Sequence, residues 1–269
     1  MTTGTPAYDP SSFGRHRRID DRHFWFRGRN RVLESVLLEL VRGFPAGSRV
    51  LEVGCGNGNT LRVLERESGP DAVVGMDLSL EGLLYARERT SCPLVQGDVY
   101  KPPFARRLQM VCLFDVLEHL PDERGALQAL RAVLVPGGAL VITVPARRSL
   151  WSEVDEVSGH LRRYEAGELE ALLDSEGYQV EYLTPFMMSI YPLFWLSRRL
   201  APRIAGRKRR AAPQAGLTHQ GELKVVPVLN GILAFLLGLE APMTGRRMKL
   251  PFGTSLLAVA RTREETPRA

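Results

Sequence analysis

Val50-Leu51-Glu52-Val53-Gly54-Cys55-Gly56-Asn57-Gly58 is an apolar run that passes directly into a loop with glycine at every second position. An apolar run ending in such a loop predicts a buried strand, then a helix whose N-terminus faces a ligand. The glycine spacing separates two ligand classes that share one architecture. A dinucleotide loop needs G-x-G-x-x-G, the last glycine letting the helix pack close to the strand. Here Gly54, Gly56 and Gly58 give G-x-G-x-G, and Asn59 stands where that last glycine would be.

Outward from this loop the chain alternates. Val32, Leu33, Val36, Leu37, Leu40 and Val41 recur at helical spacing, and Gly43, Pro45 and Gly47 end that helix. Strands are expected at 49–53, 72–76, 94–95, 110–114 and 139–144, with helices at 60–67, 80–88 and 123–134 between them. Helix and strand continue at 168–175 and 178–183. This rhythm predicts a parallel sheet with helices on both faces. The alternation then breaks: apolar segments 185–200 and 225–239 read as two inserted helices, and Ser255–Val259 alternates as a last strand. The expected organisation is an N-terminal arm and helix (1–45), a core (46–184), a helical insert (185–252), and a last strand with tail (253–269).

Composition bounds the function. Hydrophobic content of 44% and charged content of 25% are those of a globular protein. The net charge of +6 is concentrated in residues 198–210, which hold Arg198, Arg199, Arg203, Arg207, Lys208, Arg209 and Arg210 and no acid. Three cysteines, Cys55, Cys92 and Cys112, suit a reducing compartment without a disulfide framework. The N-terminus shows no signal-peptide pattern, so the expectation is a cytoplasmic protein. The basic run lacks interleaved aromatics, which argues against nucleic acid.

In an open parallel sheet, ligands bind beyond the carboxyl ends of the strands. Asp77 closes the second strand, Gly97-Asp98-Val99 follows the third, and Phe114-Asp115-Val116-Leu117-Glu118-His119 ends the fourth. Together with Glu52–Gly58, Gly75-Met76-Asp77 and Val135-Pro136-Gly137-Gly138, these form an ordered series over about residues 48–183. The series resembles that of the class I S-adenosylmethionine (SAM) methyltransferases. The resemblance implies a Rossmann-like, doubly wound sheet of seven mostly parallel strands with an antiparallel last strand. It also implies SAM as cofactor, held by Glu52, Gly54, Cys55, Gly56, Asp77, Leu78, Asp98, Val99 and Asp115. Asp77 would accept the ribose hydroxyls and Asp98 the adenine amino group. The rival readings are a SAM-binding protein without methyl transfer, such as a cyclase or regulator, and an NAD-dependent oxidoreductase.

Methyl transfer from a sulfonium needs alignment more than activation, and a base only where the acceptor must lose a proton. His119 and His160 lie on loops expected to open on the cofactor crevice and are the candidate catalytic residues. Asp115-x-x-Glu118-His119 with a later histidine is also similar to the set that holds a divalent cation in ubiquinone-pathway O-methyltransferases and small-RNA 2′-O-methyltransferases. Those families tend to carry Glu where this chain has Asp115. His23-Phe24-Trp25-Phe26-Arg27-Gly28-Arg29 reads either as an anchor for the N-terminal helix or as a lid, with Trp25 or Arg29 touching the methionine end of SAM. The apolar insert has three readings: ordinary packing, a cap over the acceptor, or peripheral membrane contact through 185–240. The expected acceptor is an apolar or amphiphilic small molecule.

Overall fold

The computed structural model describes residues 19–105, 108–196 and 227–263. Residues 1–18, the basic run 198–210 and the tail from 264 lie outside the described residues.

The first long helix, α1 (Phe24–Arg42), buries Gly28, Arg29, Val32, Leu33, Val36, Leu37 and Leu40, a stripe at helical spacing. It starts earlier than the apolar periodicity suggests, because the His23 imidazole accepts a hydrogen bond from the Trp25 amide and caps it. The aromatic segment after His23 therefore forms the opening turns of α1. The chain continues through β1 (Val50–Val53), α2 (Leu61–Ser68), β2 (Val73–Asp77), α3 (Leu80–Ala86), β3 (Leu94–Gln96), β4 (Leu108–Phe114) and α4 (Glu123–Val133). It then forms β5 (Leu134–Pro145), α5 (Glu153–Val157), α6 (Ala166–Ser175), β6 (Tyr178–Phe186), α7 (Pro227–Gly238), α8 (Ala241–Gly245) and β7 (Ser255–Thr262).

The strands form one sheet in the order β3-β2-β1-β4-β5-β7-β6. Strands β1 to β5 pair in parallel, and β7 inserts antiparallel between β5 and β6. This is the Rossmann-like α/β sheet with an antiparallel last strand. The order reverses between β1 and β4, so their carboxyl ends flank the switch-point crevice. The pleat sends alternate residues to two cores. Val50, Met110, Cys112 and Val141 pack with α1, α2 and α3, whereas Leu51, Val111, Leu113 and Ile142 pack with α4 and α6. Cys55, Cys92 and Cys112 are free and buried.

The insert differs from the hydropathy reading. Pro185 and Phe186 complete β6, paired with Leu256 and Ser255. Beyond them residues 191–196 are helical, and α7 packs across α1. Gly28 makes that crossing close: a Cβ there would lie 2.7 Å from Leu237 Cβ. The Asn230 side chain accepts from the Phe24 amide at 2.7 Å and donates to the Arg22 carbonyl at 2.7 Å. Buried Glu240 accepts from the Met188 and Ser189 amides at 3.0 and 2.8 Å. Valine at position 28 would force α7 off α1. Gly28→Val is expected to lose about 1–3 kcal/mol in urea unfolding, the usual range for overpacking.

Candidate active site

The loop after β1 is built by glycine. Gly54, Gly56 and Gly58 all adopt positive φ (69°, 51° and 77°). A Cβ on Gly54 would lie 2.5 Å from Val116 Cγ2, so the turn is pressed against the segment leaving β4. The Gly54 and Cys55 amides donate to the Met76 carbonyl at the end of β2. One residue on, the Gly56 amide donates to Asp77 Oδ2 at 2.7 Å, while Asp77 Oδ1 accepts from the Ser79 amide at 2.8 Å. Burial raises the Asp77 carboxyl even against these two amides.

Beneath the loop, Glu52 is 1% exposed and accepts a hydrogen bond from the Thr60 hydroxyl, while its Oε2 has no hydrogen-bond partner. Burial pushes this carboxyl up to about 8, against the lowering effects of Thr60 and Arg29. Cys55 is buried beside it, and desolvation pushes its thiol well up.

Arg29 crosses from α1 to the end of β4. Its guanidinium donates to Asp115 Oδ2 at 2.6 Å and to Asn59 Oδ1 at 3.3 Å, and lies 5.0 Å from the Trp25 ring centroid. Asp115 itself has φ 57° and also accepts from the Thr143 hydroxyl at 3.1 Å. Trp25, Arg29 and Asp115 therefore meet at the crevice. Beyond the carboxyl ends of β2 and β3, Leu78 is 64% exposed. Asp98 is exposed and accepts from the Tyr100 amide at 2.9 Å, while Val99 packs on the core.

The two histidines come together. Their ring centroids are 4.9 Å apart in an edge-to-face contact. The loop carrying His160 is drawn in by the Leu161 amide, which donates to the Glu118 carbonyl at 2.9 Å, and by the Tyr164 amide on the Pro145 carbonyl. His160 Nδ1 faces Asp155 Oδ1 at 2.9 Å, and Arg163 Nε donates to the same oxygen at 2.7 Å. Burial alone would raise the Asp155 carboxyl, but His160 and Arg163 hold it down at about 2. It is therefore an ionised acceptor for an Nδ1–H, and His160 Nε2 is left with its lone pair toward Glu118 Oε1, 3.9 Å away. His119 Nδ1–H donates to the Gly159 carbonyl at 3.2 Å. Burial, then the neighbouring His160, lowers His119 to about 4.

Glu118 is fully buried, and neither carboxylate oxygen has a hydrogen-bond partner. Burial and the charge of Asp115 raise it well above the usual range. Glu118, His119 and His160 each offer a ligand atom, all within 4.8 Å of one another. Carboxylate and imidazole donors, with outer hydrogen bonds fixing both rings, suit a divalent cation. Asp115 stands apart from this group, engaged by Arg29. Sequence reading assigns no site role to Asp155, Arg163 or Asp20, and takes Asn59 only as the residue in place of the third glycine of a dinucleotide loop. Asp20 is buried and accepts from Asn57 of the glycine loop at 2.7 Å. The His160 partner was legible in principle as an acid five residues upstream in the same loop.

A family model for a methyltransferase domain matches residues 16–183. The ubiquinone biosynthesis O-methyltransferase of Erwinia tasmaniensis is 32% identical over 110 residues, covering 38% of this chain and 44% of that protein. The 2-phytyl-1,4-naphtoquinone methyltransferase of Thermosynechococcus vestitus is 32% identical over 140 residues, covering 50% of this chain and 56% of that protein. The chain spans about half the length of the curated relatives it matches. Among solved structures, phosphoethanolamine N-methyltransferase 2 of Haemonchus contortus, in complex with SAM, aligns with TM-score 0.54 at 17% identity, over 86% of this chain and 52% of that one.

The Glu52 carboxyl gives a direct check on the site's electrostatics. Its folded value of about 8 exceeds the ordinary 4.5, so the folded state holds a proton that the unfolded state releases. Stability from this group is fully present below pH 4.5 and is lost as pH rises through 8. Glu52→Gln removes the dependence. Wild type should lose up to about 5 kcal/mol relative to the variant between those limits, read by chemical unfolding across pH.

Proposed function

The chain belongs to the class I SAM-dependent methyltransferases, and from that premise we propose that it methylates an apolar or amphiphilic small molecule of quinone-like, lipid-linked or natural-product type. The observation that carries the reading is the G-x-G-x-G loop at the switch point, its Gly56 amide locked on Asp77 and its open side bordered by Arg29 and Asp115. Quinone-related methyltransferases among the relatives support the acceptor class.

The donor set fits SAM. The crevice presents acids at the ends of β1, β2 and β4, including the unpartnered Glu52 Oε2, with the buried Arg29 guanidinium among them. Gly54, Cys55 and Gly56 would hold the amino-acid end, with Trp25, Arg29 and Asp115 beside it. Asp77 would hold the ribose, and Leu78, Asp98 and Val99 the adenine. When bound, SAM supplies a methyl group already made electrophilic by its sulfonium.

This chain's own residues then align the acceptor and handle its proton. His160 is the better base: Asp155, ionised and buried, fixes its tautomer and stabilises the imidazolium that forms. His119, lowered to about 4, stays neutral and acts by accepting a hydrogen bond. A second reading rests on the two orphaned oxygens of Glu118. Glu118, His119 and His160 would hold a divalent cation, which would lower the pKa of an acceptor hydroxyl there. This reading places the work in a cytoplasmic protein that meets its acceptor near the membrane.

Incubation of the full chain with methyl-labelled SAM and a panel of quinols, phenols and fatty acids tests the proposal. Label should move to at least one acceptor, and His160→Asn should lower kcat by about 10²–10⁴ with little change in KM for SAM. Loss of turnover on chelation, restored by added Mg²⁺ or Zn²⁺, assigns the His160 lone pair to a cation; turnover indifferent to chelator assigns it to the proton. Stoichiometric SAM binding with no transfer to any acceptor contradicts the reading.

A further inference from the structure

Helix α7 carries no charged residue in Pro227-Val228-Leu229-Asn230-Gly231-Ile232-Leu233-Ala234-Phe235-Leu236-Leu237-Gly238. Its one strongly polar residue, Asn230, faces inward and is spent on the backbone of residues 22 and 24. The face turned to solvent is apolar throughout. Val228 is 75% exposed, Ile232 52% and Phe235 63%, at spacings of four and three that set them in one line along the helix, and Leu239, in the turn just beyond it, is 53% exposed. A soluble surface helix ordinarily shows the opposite arrangement, polar outward and apolar inward.

What covers this line is indicated by the chain on either side of it. Residues 191–196 expose Leu193, Trp195 and Leu196. Thirty residues lie between there and α7, and their sequence begins with seven Lys and Arg in positions 198–210 and no acid. The pairing of apolar surface with a stretch of sequence rich in cations and free of acids complements an anionic bilayer, where hydrocarbon and acidic headgroups are presented together. A protein partner would need to supply the same combination.

The helix would lie in the interface rather than cross it. Residues Val228–Gly245 have the length and mean hydropathy (1.4) of a candidate span. However, α7 has 12 residues, about 18 Å of helix, against a hydrocarbon core of about 30 Å. Buried Glu240 then ends the apolar stretch, fixed on the Met188 and Ser189 amides, and Leu237 is seated on Gly28 of α1. Crossing would break all of these contacts, whereas docking breaks none.

We propose that the outer face of α7, formed by Val228, Ile232 and Phe235 and continued by Leu239 in the following turn, docks this protein on an anionic lipid surface. The other face of α7 rests on α1, the helix that carries Trp25 and Arg29, so docking brings the site's N-terminal wall to the interface into which amphiphiles partition. The proposal does not depend on methyl transfer, because vesicle binding is read without turnover.

Flotation of the full chain with vesicles of phosphatidylcholine, and of phosphatidylcholine mixed with phosphatidylglycerol, tests it. Binding is expected on the anionic vesicles, weakening with salt, and falling about tenfold or more in Phe235→Asp. The thermal unfolding transition should be unchanged, since Phe235 faces solvent; if that variant fails to fold, Val228→Ser with Phe235→Ser is read in the same assay. Replacing the seven cations of 198–210 by Gln should abolish the preference for anionic vesicles. Absence of vesicle binding, equal binding to both compositions, or binding indifferent to the α7 variants would overturn the proposal. So would sedimentation showing a dimer that Phe235→Asp dissociates while no vesicle is bound, which would make a second copy the occupant.

Discussion

The turn out of β1 is the constraint around which the rest is arranged. Gly54 leaves the strand at φ 69° with no room for a side chain, because Val116 from the end of β4 fills the space. That contact sets three things together. It brings the loop amides to Met76 and Asp77 on one side, it holds the β4 exit with Asp115 and Glu118 on the other, and it leaves the crevice between them open. Arg29 closes the arrangement from above by reaching across to Asp115. A side chain at position 54 would separate the two strand ends on which every proposed function of the crevice depends.

The electrostatics of the crevice follow from burying acids faster than they are paired. Glu52, Asp77 and Glu118 are all raised by desolvation, which outweighs the hydrogen bonds and charges that lower them. Asp155 alone is driven down, because Arg163 and His160 both contact it. Glu118, with neither oxygen hydrogen-bonded, and Glu52, with Oε2 unpaired, are costly in isolation and become favourable when a positive group arrives. A sulfonium beside Asp115 and a proton or cation beside Glu118 are the two charges this proposal supplies. The same logic explains why His119 stays neutral: it is buried next to another imidazole.

The sheet was legible because each strand carries an apolar run bounded by glycine, proline or aspartate, a local signal that tertiary packing reinforces. The exceptions are local too. Apolar Pro185 and Phe186 look like helix by hydropathy, yet they pair with Leu256 and Ser255, a partnership seventy residues away that no window sees. The early start of α1 depends on the His23 cap, and imidazole is not among the usual capping groups. In the site, residues at strand ends were readable from position alone, since the topology fixes where strand ends go. The meeting of His119 with His160 was not, because it depends on how the 146–164 loop folds back on the Glu118 carbonyl. Arg29 reaching Asp115 is likewise a contact between residues 86 apart, visible only once α1 is docked.

If the glycine loop and its acids form a SAM site, calorimetric titration with S-adenosylhomocysteine detects it without any acceptor. This ligand carries the same adenosine and amino-acid ends without a transferable methyl group, so binding is measured apart from turnover. One-to-one binding to the full chain is expected, lost in Gly56→Arg, where a bulky side chain would enter the loop at φ 51°. No binding of the homocysteine ligand by the folded chain, or tight binding of NADH in its place, would contradict it.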